Sequence, residues 1–172
     1  VTDVNDAPIA NNDSISTAED TPVSLNVTTN DTDVDGTIDV ATVDLDPATA
    51  GIQTTFTVAS EGTYTVDNSG VVTFTPVANF NGIATAVNYT VNDDDGTTSN
   101  TATITVTVTN VNDAPIANND SISTAEETPV SLTVTTNDTD VDGKIDAGTV
   151  DLDPATTGIT KTFTVANEHT YT

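Results

Sequence analysis

Thr101-Ala102-Thr103-Ile104-Thr105-Val106-Thr107-Val108-Thr109 decides how this chain folds. Apolar residues take every second position and threonines fill the others, the period of a strand with one face buried and one in water. Val23-Ser24-Leu25-Asn26-Val27, Thr55-Phe56-Thr57-Val58, Thr63-Tyr64-Thr65-Val66, Val71-Val72-Thr73-Phe74-Thr75 and Ala86-Val87-Asn88-Tyr89-Thr90-Val91 read the same way. No segment keeps a 3.6-residue pattern long enough for a helix. Asp67-Asn68-Ser69-Gly70 separates two alternating runs and reads as a hairpin turn, with Gly70 suited to positive φ. Short strands at this density, about seven in about 100 residues, predict an all-β chain of antiparallel β-sandwiches.

The chain holds more than one such unit. Residues 4–65 return almost letter for letter as residues 111–172, so that Val4-Asn5-Asp6-Ala7-Pro8-Ile9-Ala10 reappears as Val111-Asn112-Asp113-Ala114-Pro115-Ile116-Ala117. The offset, 107 from Val4 to Val111, is one small domain long and marks a tandem array. Each Pro of the Asn-Asp-Ala-Pro segments ends a ladder, because it has no N–H to donate, and stiffens a short linker. The expected division is 1–7 as the end of a preceding repeat and its linker, 8–111 as a complete sandwich, and 112–172 as an incomplete second copy. Residues 66–110 have no counterpart after Thr172, so the second copy is expected to lack its final strands.

Charge narrows the partners. The chain has 27 Asp+Glu against 2 Lys+Arg, a formal net charge of −25. Lys144, Lys161 and the single His169 all lie in the second copy. Nucleic acid and anionic membrane surfaces are excluded as partners, since both are held by Lys and Arg. No apolar run approaches the ~18 residues of a membrane span, so direct membrane insertion is not expected, and no signal peptide starts the chain. The absence of cysteine removes disulfides and thiolate metal sites. Self-repulsion on this scale disfavours a compact state and calls for a divalent cation or high salt; plain solubility, or an adaptation to saline surroundings, is the simpler reading.

Asn30-Asp31-Thr32-Asp33-Val34-Asp35-Gly36, repeated as Asn137-Asp138-Thr139-Asp140-Val141-Asp142-Gly143, is the sharpest motif. Carboxylates at alternate positions before a bend-permitting Gly match the first half of a calcium loop, and hard Ca²⁺ takes six to eight oxygens. The loop departs from the EF-hand, because its twelfth position is Thr42 and no helices flank it. Read instead as a solvated acidic turn, three carboxylates about 5 Å apart repel by roughly 3 kcal/mol per pair at an effective dielectric near 20. Asn92-Asp93-Asp94-Asp95-Gly96 joins the last two long strands, and in a seven-strand sandwich it shares an end with the first loop and the incoming linker. Asn5, Asp6, Asp31, Asp33, Asp35, Asp93 and Asp95 are therefore expected to meet, with Asn112, Asp113, Asp138, Asp140 and Asp142 as their counterparts. Glu19-Asp20 and Glu126-Glu127 sit in a loop at the opposite end, where Glu19 and Glu126 are candidate ligands shared with a following linker, or solvated loop acids. Asp44-Leu45-Asp46-Pro47 fits a strand leaving the core. Catalysis finds no support: His169 is replaced by Gly62 in the first copy, and no Cys nucleophile, phosphate loop or His cluster exists.

Val4-Asn5-Asp6-Ala7-Pro8, Glu19-Asp20-Thr21-Pro22-Val23 and the Asn30–Gly36 loop together resemble the bacterial cadherin-like and Ig-like tandem repeats of giant RTX-type surface adhesins. Asp3-Val4-Asn5-Asp6-Ala7-Pro8 is similar to the calcium-binding linker of cadherins. Val43-Asp44-Leu45-Asp46-Pro47, Gly62 to Val66, Gly70 to Pro76, Phe80-Asn81-Gly82 and Tyr89 to Asp93 are similar to fibril repeats of the CshA type. The resemblance implies a secreted, cell-surface stalk of sandwiches stiffened by Ca²⁺, with Asp3 among the linker ligands and Asn110 in its place at the second linker. The expected partners are adjacent repeats of the same chain, or other copies of it in a fibre. The competing expectation is a calcium-dependent module that binds a glycan or its own kind; scarce aromatics argue against a sugar platform.

Overall fold

The computed structural model describes residues 4–165 and 170–172. The chain divides into two compact units, 1–111 and 112–172. Among the described residues of the first, nine strands run in order: β1 (Asp13–Ala18), β2 (Val23–Asn26), β3 (Ile38–Asp44), β4 (Thr55–Val58), β5 (Gly62–Val66), β6 (Val71–Pro76), β7 (Gly82–Ile83), β8 (Val87–Asp93) and β9 (Ala102–Thr109). They form two sheets, β1-β9-β8-β3 with β7 also on β9, and β2-β6-β5-β4. The fold is an all-β sandwich of the Ig-like kind.

The opening sequence stretch becomes β9, set between β1 and β8. Its alternation is realised residue by residue: Ala102, Ile104, Val106 and Val108 are buried, while the intervening threonines face outward. The facing sheet supplies Tyr64, Val72 and Phe74, and the Tyr64 and Phe74 rings pack at a centroid distance of 4.6 Å. Fully burying one such aromatic side chain stabilises the fold by about 1.5–3 kcal/mol. The Asp67–Gly70 turn joins β5 to β6 with Gly70 at φ +74°. The Asp67 carboxylate accepts from the N–H groups of Ser69 and Val71 at 2.7 and 3.1 Å, which fixes the bend.

The ladder is not antiparallel throughout. β1 lies parallel to β9, with Asp13 opposite Ile104 and Ala18 opposite Thr109. β1 opens the repeat and β9 ends it, so they are joined through all the intervening strands rather than by a hairpin; only such a long connection permits a parallel pair. β1 and β3 also extend the strand set beyond the alternating runs named above. β3 is held by β8, with a register shift between Asp39 and Asp44, and Leu45 is buried just after the strand ends.

In the second unit a short hairpin forms from β10 (Phe163–Thr164) and β11 (Thr170–Tyr171), in the register of β4 and β5. The Ile116–Thr139 bridge repeats the Ile9–Thr32 bridge of the first. The counterparts of β1 and β2 are not strands there. Their ladder partners in the first unit are β9 and β6, whose sequences have no counterpart in 112–172. Without those partners Ile122 and Leu132 are 47% and 43% exposed, whereas Ile15 and Leu25 pack on the core.

Candidate functional site

The incoming segment, the loop between β2 and β3, and the loop between β8 and β9 come together at one end of the first unit. Asn5 donates through Nδ2 to Asp93 Oδ2 at 2.8 Å and to Thr97 Oγ1 at 2.7 Å. The Asp6 N–H donates to both Asp35 oxygens at 3.3 and 3.2 Å. Asp33 Oδ1 accepts from the N–H groups of Asp35 and Gly36 at 3.1 and 2.9 Å. That turn explains Gly36: a side chain there would begin 2.8 Å from Asp94 Oδ1 and 3.2 Å from Asp33 Oδ2.

Two of the acids expected at this end are used differently. Asp31 is turned to another partner set: Oδ1 accepts from the Asn11 N–H at 2.8 Å and lies 3.0 Å from the Tyr89 hydroxyl. Asp95 contributes its N–H, which donates to Asp93 Oδ1 at 3.0 Å. Asp94, which alternation passed over, is the residue that reaches across, accepting from the Thr37 N–H at 2.8 Å. Asp3 and His169 lie outside the described residues.

Asp93 is 2% exposed. Burial pushes its pKa up, but hydrogen bonds from Asn5, Thr97, Asp95 and Gly96 outweigh that and hold it below the ordinary carboxylate value. The Thr37 N–H likewise holds Asp94 down. At Asp35 the Asp6 N–H lowers the pKa, yet desolvation and the charges of Asp6 and Asp33 leave it raised.

A second polar centre, unforeseen in the sequence, surrounds the Tyr89 hydroxyl. It lies 2.9 Å from Asn11 O, 3.2 Å from Asp13 Oδ2, 3.2 Å from Val27 O and 3.0 Å from Asp31 Oδ1. Its single O–H can donate to only one or two of these four acceptors at a time. Burial raises Asp13 to about 6, with the Asp31 charge adding to the effect, and burial also raises Asp31. Burial and the two carboxylates push the Tyr89 hydroxyl well above the ordinary phenol value.

At the other end, Glu19 is only 5% exposed. One of its oxygens accepts from the Val111 N–H, where the chain leaves the unit. The other, Oε2, is buried with no hydrogen-bond partner, and so is Asp33 Oδ2. Such orphaned carboxylate oxygens suit a cation, because an unpaired buried acceptor is costly. Among the described residues, no three acidic side chains stand ready as a metal cluster.

The second unit rebuilds the first loop. The Asp113 N–H donates to Asp142 at 3.2 Å, the Asn118 N–H to Asp138 at 2.8 Å, and the Gly143 N–H to Asp140 at 2.8 Å. Asn112 donates instead to the Asp113 carbonyl at 2.8 Å, and Glu126 is exposed. The loop conformation is thus local, whereas the burial of Asp93 and Glu19 depends on the completed sandwich.

Fold and acidic ends define a tandem β-sandwich repeat. Residues 5–110 match the bacterial cadherin-like domain, and the chain belongs to that family. Residues 112–172 match the bacterial Ig domain. No curated protein matches the chain. Domains of these two kinds are typically structural modules of extracellular surface repeats. Among the described residues no helix is long and apolar enough to cross a membrane.

Proposed function

We propose that the chain is part of the extension region, a stalk, of a secreted bacterial surface adhesin or fibre, and that Ca²⁺ at its acidic loops and linkers stiffens it. The observation that carries this reading is the recurrence of one acidic loop with the same hydrogen bonds in two nearly identical copies. Near-identical copies suit a spacer, and an Asn-Asp-Ala-Pro linker of a few residues limits free tumbling. Asp33, Asp35, Asp93 and Asp94 are the ligand candidates at the entry end, with Asn5 and Asp6 beside them. Glu19 is the candidate at the exit end. Bound Ca²⁺ supplies positive charge that a repeat with no Lys or Arg of its own lacks.

An ion that binds only the folded state stabilises it by mass action, by about 2.7 kcal/mol at a hundredfold excess over Kd. The test is thermal unfolding in EDTA, in millimolar Ca²⁺, and in NaCl of matched ionic strength. Ca²⁺ is expected to raise Tm far more than NaCl does. Equal shifts would mean plain charge screening and would remove the metal from this reading.

A further inference from the structure

Among the described residues the two sheets of the first unit have five outer strands, β1, β3 and β7 in one and β2 and β4 in the other, and β7 is only two residues long, too short to template another strand. An outer strand leaves alternate backbone N–H and C=O groups open to another strand, and proteins blunt such edges with charge or proline. β1 begins at Asp13 and runs into Glu19-Asp20, β3 contains Asp39 and Asp44, and β2 is entered through Pro22. β4 has neither device: residues 53–60, Gln-Thr-Thr-Phe-Thr-Val-Ala-Ser, hold no charge and no proline.

We propose that β4 is a self-association edge, on which β4 of a second copy of this chain pairs antiparallel about a two-fold axis through Phe56. The ladder with β5 sets which groups are free. The Val66 N–H donates to Thr54 O at 3.0 Å, so Thr54, Phe56 and Val58 direct their backbone groups inward and Thr55 and Thr57 direct theirs outward. Thr55 and Thr57 are exposed, and Phe56 and Val58 pack against the core.

Sequence selects the occupant. Thr55-Phe56-Thr57 reads the same in both directions. Antiparallel self-pairing sets Thr55 opposite Thr57 of the second copy, so every outward N–H meets an outward C=O. Phe56 then faces Phe56 of the second copy. These are the pairs β4 already makes on its inner side, where Phe56 is opposite Tyr64 and Thr57 Oγ1 lies 3.2 Å from Thr63 Oγ1. With a net charge of −25, two copies repel wherever acids face each other. Within the paired residues 55–57 neither copy carries a charged side chain. A cationic partner, by contrast, finds no anchoring side chain on β4. The second repeat keeps Thr162-Phe163-Thr164 but places Lys161 directly before it, where the first has Thr54.

The experiment is sedimentation equilibrium of the 172-residue chain from micromolar to millimolar concentration, in low and high NaCl at fixed Ca²⁺, with amide exchange on the same samples. The expected result is a weak dimer that tightens with salt as repulsion is screened. The Thr55 and Thr57 amides gain protection with concentration, while the Phe56 amide is protected throughout. Thr55→Pro removes an outward N–H that the ladder does not use, and Thr57→Asp adds a carboxylate on each side of the axis to copies that already carry −25; each is expected to weaken the dimer at least tenfold. The retained Phe56 protection shows that β4 is intact in the variants. A monomer under all conditions, new protection on β2 instead, or a dimer indifferent to both substitutions would overturn the proposal.

Discussion

Glu19→Gln isolates what the buried carboxylate at the exit of the first unit does. The substitution keeps an oxygen for the Val111 N–H and removes a charge from a side chain that is 5% exposed. It also turns an orphaned acceptor, Oε2, into an amide group that carries its own donors. The amide N–H groups are as unpaired there as the oxygen was, so the change in EDTA comes from the lost charge: burying an ion costs more than burying a neutral amide, and the variant is expected to be more stable than the parent by about 1 kcal/mol or more. For a unit near 100 residues, about 1 kcal/mol corresponds to roughly 4–8 °C in Tm. In millimolar Ca²⁺ the order is expected to reverse, because Gln is the poorer ligand for a hard cation and the parent gains the binding free energy that the variant forfeits. Calorimetry of both proteins in both buffers reads the sign directly. A shift of the same sign and size with and without Ca²⁺ refutes the reasoning, since it would make Glu19 an ordinary buried acid with no metal role.

Four further outcomes are expected. Tyr89→Phe removes the single hydroxyl shared by Asn11, Asp13, Val27 and Asp31, and chemical denaturation should show a loss of about 1–3 kcal/mol. Asp13, raised to about 6 when folded, contributes stability that is complete below its unfolded value near 4 and is lost as pH rises through about 6. Asp13→Asn should therefore flatten the fall in denaturation midpoint between pH 4 and 7, and an unchanged pH profile would count against the assignment. Gly62→Ala would set a methyl group 2.5 Å from both Phe74 Cζ and the Thr75 carbonyl oxygen; a stability loss at the upper end of about 1–3 kcal/mol, or beyond it, is expected in the same denaturation assay. Amide exchange across the whole chain should find 13–26 protected and 120–133 fast, since those near-identical sequences differ in having or lacking ladder partners.

The two-residue period carried most of the fold, because a strand buried on one face must alternate, and β9 does so along its length. β1 and β3 were harder to see. Asp13, Asp39 and Asp44 sit in them despite the low strand propensity of Asp, and what makes them strands is pairing with β9 and β8, far along the chain. Topology placed Asn5, Asp6, Asp33, Asp35 and Asp93 at one end correctly, since loops at one end of a sandwich follow from strand count. It said nothing of side-chain direction. Asp31 is drawn to the Tyr89 hydroxyl on β8, and Asp94 rather than Asp95 reaches Thr37. The burial of Glu19 was equally hidden. Glu126, in a nearly identical local sequence, is exposed, so the difference lies in tertiary surroundings.

The parallel pairing of β1 with β9 sets how the first unit carries load. The strand that opens the repeat and the strand that closes it run in the same direction, side by side, over six paired positions from Asp13–Ile104 to Ala18–Thr109. A pull on the two ends of the unit draws these strands past each other along their length. The bonds between them then share the tension and must give way nearly together, instead of opening one after another as a hairpin does when its ends are parted. Forced unfolding is governed by the unfolding rate rather than by equilibrium stability. Resistance to tension in this unit is therefore concentrated in one short ladder, and a stretched molecule should yield there in a single abrupt event.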